Sequence, residues 1–192
     1  VISCDKDDPE MSPRAIKKLT KKFKRFPLNI HYGNNNSKIA ACNANMEPYT
    51  GQWDVVLLAS DDMVPVIKDF DKIIMNTMES NFPDYSGVLN FNDGFVNFTR
   101  NTYPVLGVNF YNKFNYIYFP EYKSLYCDEE LKIVSEMLQK EKTVDTLIIE
   151  HKHPCAGKAR FDKTYARALK PEIIAHDQEL FNKRRAKNFD LL

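Results

Sequence analysis

Short apolar runs of strand length recur along this chain, and the stretches between them carry apolar residues at helical spacing. The runs are "VISC" at 1–4, "LNIHYG" at 28–33, "WDVVLLAS" at 53–60, "SGVLNFND" at 86–93 and "TLIIEHKHP" at 146–154. Between them lie "RAIKKLTKKFKRF", "VIKDFDKIIMNTMES" with Ile67, Phe70, Ile73, Ile74 and Met78 in phase, and "DEELKIVSEMLQKEK". Strands that alternate with helices predict an α/β domain, Rossmann-like, with a mainly parallel central sheet and helices on both faces. The unbroken apolar character of "WDVVLLAS" is that of a strand covered on both sides. Residues 91–100 predict a hairpin turning at Asp93-Gly94, with "FVNFTR" as the returning strand.

A chain of 192 residues supports one such domain without disulfide or metal staples. We expect a single domain over 1–192, closed by a helical tail over 156–192. Because Val1 opens directly inside a strand-like stretch, residues upstream are expected to belong to the same fold. Lys and Arg number 27 against 26 Asp and Glu, so no global field argues for nucleic acid as a partner. The local basic run at 14–26 reads as the solvated face of a helix that begins at Ser12-Pro13, and "NKRRAKNF" near the end reads the same way. The four cysteines form no CxxC pair, which fits a reducing, cytoplasmic setting. No apolar run approaches the roughly 20 residues of a membrane span.

The chemistry gathers where strands end, as ligands do in open α/β sheets. Asp5, Asp7 and Asp8 follow the first run, Ser37-Lys38 and Asn43 the second, Asp61-Asp62 the third, and His151 and His153 the last. Two carboxylates about 4 Å apart repel by roughly 4 kcal/mol at an effective dielectric of about 20, so the Asp61-Asp62 pair needs a compensating charge. Successive strand residues point to opposite faces, so one of the pair is expected in the crevice and the other in support. Hard oxygen ligands point to Mg2+ or Mn2+ carried on a diphosphate, and an added imidazole favours Mn2+. His151 and His153, two apart, are expected on one face.

"VISCDKDDPEM", "NNNSKIAACNANM" and "WDVVLLASDDMVP" resemble three successive blocks of the family 2 glycosyltransferases, nucleotide-sugar enzymes of the GT-A fold. The resemblance covers residues 1–155 and places the family's first strand before Val1. It implies that Asp5 binds the nucleoside, that Lys38 and Asn43 line the same pocket, and that Asp61 holds the metal, with Asp62 beside it on the diphosphate. Ala59 stands where the family's Asp-x-Asp-Asp motif has its first Asp. "YCDEEL" at 126–131 is similar to the block that carries the family's general base, which maps onto Asp128, with Cys127 in place of the preceding Glu. A helix-capping role for Asp128 stands beside that one. "HKHP" resembles the late histidine that completes the metal site or touches the diphosphate, mapping onto His153. Asp93 reads as a turn residue first and as an acceptor ligand second.

The expectation is a metal-dependent, inverting glycosyltransferase that moves a sugar from a nucleoside-diphosphate sugar to a glycan or other hydroxyl acceptor. Two other classes stay open. A nucleotidyltransferase shares the layered plan but needs a Gly-rich loop after its first strand, and a non-catalytic GT-A-like binding domain would keep the fold without turnover.

Overall fold

The computed structural model describes residues 1–6, 8–33, 37–161 and 163–191, so Asp7 and the asparagines at 34–36 lie outside the described residues. Strand β1 (Ile2–Asp5) runs parallel to β2 (Ile30–Gly33), joined by helix α1 (Pro13–Lys22). Ser12 starts α1 by accepting the Ala15 N–H at 3.4 Å, with Pro13 at the first position, where a missing N–H costs nothing. Ser37 starts α2 (Lys38–Met46) in the same way, accepting from Ala40 at 3.1 Å.

The chain continues through β3 (Val55–Leu57), β4 (Met63–Pro65), α3 (Phe70–Asn81), β5 (Val88–Asn92), β6 (Val105–Gly107) and α4 (Val108–Phe114). It then forms α5 (Cys127–Met137), β7 (Glu141–Leu147), β8 (Ile149–His151), α6 (Lys163–Ala168) and α7 (Pro171–Ala186). The largest sheet has the order β3-β6-β5-β7. It is mixed, which corrects the expectation of a mainly parallel sheet: β6 is antiparallel to both β3 and β5, and β7 is parallel to β5. The reason lies in the connections. Parallel neighbours need a crossover, normally a helix, and β5 reaches β7 through α4 and α5. Residues 93–104 hold no helix, so the chain can only fold back beside β5.

The returning strand expected over "FVNFTR" is also corrected. The chain does turn at Gly94, with φ +69°, but residues 95–100 stay irregular. The Asp93 carboxylate accepts the N–H groups of Phe95 and Val96 at 2.8 and 2.9 Å, which coils that segment locally and takes its donors away from a ladder.

Both faces of the central sheet are covered. Val88 and Leu106 face one core with Ile39, Phe110, Leu131 and Phe181, while Leu89 and Val105 face another with Met63, Ile74, Met78 and Ile149. The alternation along β5 and β6 is the period-two geometry of a strand buried on two sides. Helices α2, α4, α5 and α7 therefore supply one layer and α3, with the β4–β8 pair, the other.

The tail is part of the first core. Buried Arg184 on α7 donates from Nε to both Glu130 oxygens at 3.0 and 2.8 Å and lies 3.4 Å from the Phe119 ring centroid. Asp177, also buried, accepts backbone N–H groups of Lys123, Ser124 and Leu125 at 2.8–3.0 Å. All four cysteines are free, and no helix among the described residues is long and apolar enough to cross a membrane.

Candidate functional site

Antiparallel pairing of β4 with β8 sets Met63 opposite His151, and this brings the Asp61-Asp62 turn against the end of β8. The two acids then separate. Asp61 is exposed, whereas Asp62 turns inward and its Oδ2 meets His151 Nε2 at 3.2 Å and the Tyr165 hydroxyl of α6. His151 is flanked on its other side by Asp93, with Nδ1 at 3.6 Å from Asp93 Oδ2. Asp93 also accepts the Thr102 hydroxyl at 2.9 Å. One imidazole thus sits between two carboxylates.

The electrostatics follow from that geometry. Burial pushes the Asp62 pKa up, but hydrogen bonds from His151 and Tyr165 outweigh it and hold the carboxyl at about 2. Asp93 behaves alike: burial opposes ionisation, and His151 with the two backbone N–H groups and Thr102 brings it down to about 2. Burial alone would discharge His151, yet the two carboxylates raise it to about 9, so it is an imidazolium at neutral pH. The charge that compensates the inward acid Asp62, and Asp93 opposite it, is therefore His151, supplied by the chain itself.

His153 lies on the same side, its ring 5.0 Å from that of His151 and stacked at 4.7 Å on Phe95. Burial, then the neighbouring His151 charge, lowers its pKa, so it is neutral. Its Nδ1 accepts the Cys155 N–H at 3.1 Å, which puts the ring proton on Nε2 and makes that atom a donor. As a metal ligand it would have to give that bond up. It suits a phosphate oxygen as it stands.

Lys38 opens α2 and donates to Ser60 Oγ at 2.7 Å, tying the second strand's helix to the third strand's end. Asp5, at the end of β1, pairs with Arg167 of α6 at 3.5 Å. Asn43 is spent on the chain: its Nδ2 donates to the Tyr118 carbonyl at 2.8 Å and its Oδ1 accepts the Ile117 N–H at 3.0 Å. It braces residues 117 and 118 against α2. Replacing it by Ala strands two buried backbone groups, and urea unfolding should show a loss of about 2 kcal/mol.

Asp128 is the second residue of α5, and the residue that caps this helix is Tyr126, held at φ +64°. Asp128 is partly buried, and among the described residues its Oδ1 accepts only the adjacent Glu129 N–H at 3.0 Å, so it is no ordinary cap. Burial raises its pKa despite the opposing pull of Arg100, that N–H and Lys38. Lys38 also acts on Asp62, and Arg100 on His153, so these groups share one electrostatic neighbourhood.

Asp93, read first as a turn residue and second as an acceptor ligand, completes the site with Tyr165, Arg167 and Phe95, which no motif singled out. A buried Asp followed by Gly carries only a turn signal, and nothing local marks a tyrosine or arginine in the tail. Among the described residues, no three His, Cys, Asp or Glu side chains converge as a metal site. Asp62 Oδ1, however, is buried without a hydrogen-bond partner. That single orphaned oxygen, with Asp61 turned to solvent, is the donor set the turn offers a cation. It does not fit a resident ion in an all-protein cage. No family model, curated protein or solved structure matches the chain.

Proposed function

We propose that this site binds a nucleoside-diphosphate sugar and transfers the sugar, with inversion, to a hydroxyl acceptor, on a GT-A-like fold of the family 2 glycosyltransferase type. The observation that carries the reading is Asp128: a carboxylate whose burial raises its proton affinity, at a left-handed helix start, in the field of Arg100 and Lys38. A carboxylate so desolvated is a better base than one in water, which suits it to take the proton of the attacking hydroxyl. A structural acid would have its oxygens filled by partners, as Asp177 has.

Around that base the remaining groups have consistent tasks. Lys38 and Arg100 attract the diphosphate, and His153 Nε2–H donates to one of its oxygens. Asp5 takes the nucleoside side once Arg167 releases it. Asp61 and, once it is uncovered, the unpartnered Oδ1 of Asp62 would hold Mg2+ or Mn2+, which would supply charge neutralisation for the leaving diphosphate. His151, itself held by Asp93, keeps Asp62 ionised and oriented.

Thermal unfolding with a panel of nucleoside diphosphates and Mn2+ tests the reading. Ligand at about 100 times its Kd adds about 2.7 kcal/mol, or roughly 5–10 °C in a chain of this size. Lys38→Ala and Asp61→Ala should each reduce the shift, and an unmoved Tm across the panel overturns the proposal.

A second reading has its own observation. Tyr165 and Arg167 of α6 already engage Asp62 and Asp5, as in a domain that has retired its site to structure. Equal donor hydrolysis by the unmodified protein and Asp61→Ala would favour this binding-domain reading.

A further inference from the structure

The residues 14–26, "RAIKKLTKKFKRF", concentrate seven cations and no acid in a chain whose net charge is +1. At 100° per residue, Arg14, Lys17, Lys18, Lys21 and Lys22 fall on one side of α1, and Ile16, Leu19 and Phe23 on the other. A helix with this pattern normally buries its apolar stripe, but no residue of α1 is buried. The cations are exposed, and among the described residues none of the seven enters an ion pair. At the end of the helix, Phe23 and Phe26 stand 38% and 68% exposed. Their rings pack edge to face at 6.4 Å, and the Lys22 ammonium lies 5.3 Å from the Phe23 centroid.

We infer that α1 and the Phe23–Phe26 turn form a docking surface for an anionic lipid bilayer. The charge is complementary to acidic headgroups, and two exposed phenyl rings beside it have the size and polarity to enter the headgroup and acyl boundary. Juxtaposed cations and aromatic rings are the composition of helices that lie on membranes rather than cross them. The same charges would attract a polynucleotide, but two features favour lipid. Five of the seven cations are lysines, which supply charge without the planar fork that grips an individual phosphate. The phenyl rings are also turned toward one another, edge to face, which is poor geometry for a row of stacked bases. This surface shares no residue with the candidate site, and the inference stands whether or not that site transfers sugars.

The test is co-sedimentation of the full chain with vesicles of phosphatidylcholine alone and of phosphatidylcholine with about 30 mol % phosphatidylserine. Binding is expected only to the anionic vesicles at about 0.1 M salt, and to be lost at about 0.5 M. The quadruple variant K17Q/K18Q/K21Q/K22Q should lower the partition coefficient by at least ~100-fold, at about fivefold per charge. F23S/F26S should lower it by ~10-fold while leaving the salt dependence intact. All these side chains are exposed, so an unchanged Tm in both variants shows that the fold persists. Absence of sedimentation with anionic vesicles overturns the inference. So does equal binding to neutral vesicles, a quadruple variant that binds like the unmodified chain, or tighter binding to single-stranded RNA than to the anionic vesicles.

Discussion

Replacing Asp128 by Asn is expected to lower turnover by ~10^2–10^4-fold while the protein unfolds at the same temperature or slightly higher. Nucleoside diphosphate released from the donor measures the first, and a thermal melt the second. The two effects share a cause. Burial opposes ionisation of Asp128 more than Arg100 and Lys38 favour it, so the folded-state pKa lies above the ordinary 3.8. An acid with a raised pKa costs stability at pH values above its unfolded value, and the cost disappears as pH falls below 3.8. Asn removes the charge and the cost together. The melting advantage of Asp128→Asn should therefore be present at neutral pH and vanish in acid. A variant that loses both activity and several degrees of Tm at neutral pH would show a structural residue and remove the base from the mechanism.

Replacing His151 by Leu is expected to destabilise the fold by about 3–5 kcal/mol, because it leaves Asp62 and Asp93 buried toward each other with no cation between them. For a chain of this length that is on the order of 10 °C in Tm. Adding Asp62→Asn and Asp93→Asn to His151→Leu should recover much of the loss, since the penalty belongs to the uncompensated carboxylates. The pH dependence has a definite sign on each side. His151 is raised from 6.5 to about 9, so its contribution is complete below 6.5 and is lost as pH climbs toward 9. Asp62 and Asp93 are lowered from 3.8 to about 2, so theirs is complete above 3.8 and is lost as pH falls toward 2. Urea unfolding across pH should show the greatest difference between unmodified protein and His151→Leu in the interval from 3.8 to 6.5. A flat difference from pH 4 to 9 would show that the imidazole is not charged.

The cluster also shows which parts of a site can be seen before a structure. Lys38 and Asp5 stand after the strand ends that predict them, and the acidic turn at 61–62 is visible from the sequence alone. Asn43 was visible too, but as a pocket residue rather than as the brace that holds residues 117 and 118. The compensating charge was assigned to a metal ion. The chain itself supplies an imidazolium to Asp62, and nothing near Asp62 in sequence announces it. Their separation is 89 residues, and Tyr165 is 103 away. Asp93 was read as a turn residue because Asp-Gly is a local signal. It does turn the chain, yet its carboxylate also closes the triad, and only β8 lying beside it reveals that.

By itself the sequence determined the coarse mixture of helix and strand, the cap of α1, and the placing of charged groups at strand ends. Each depends on neighbours within a few positions, where periodicity and hydrogen-bond capping act. The tertiary structure alone decided the antiparallel course of β6, the inclusion of α7 in the core, and the partner that each acid at the site would take. Those choices turn on which distant segments arrive together in a low-dielectric interior, and there the pairing of a charge is set by its surroundings rather than by its neighbours along the chain.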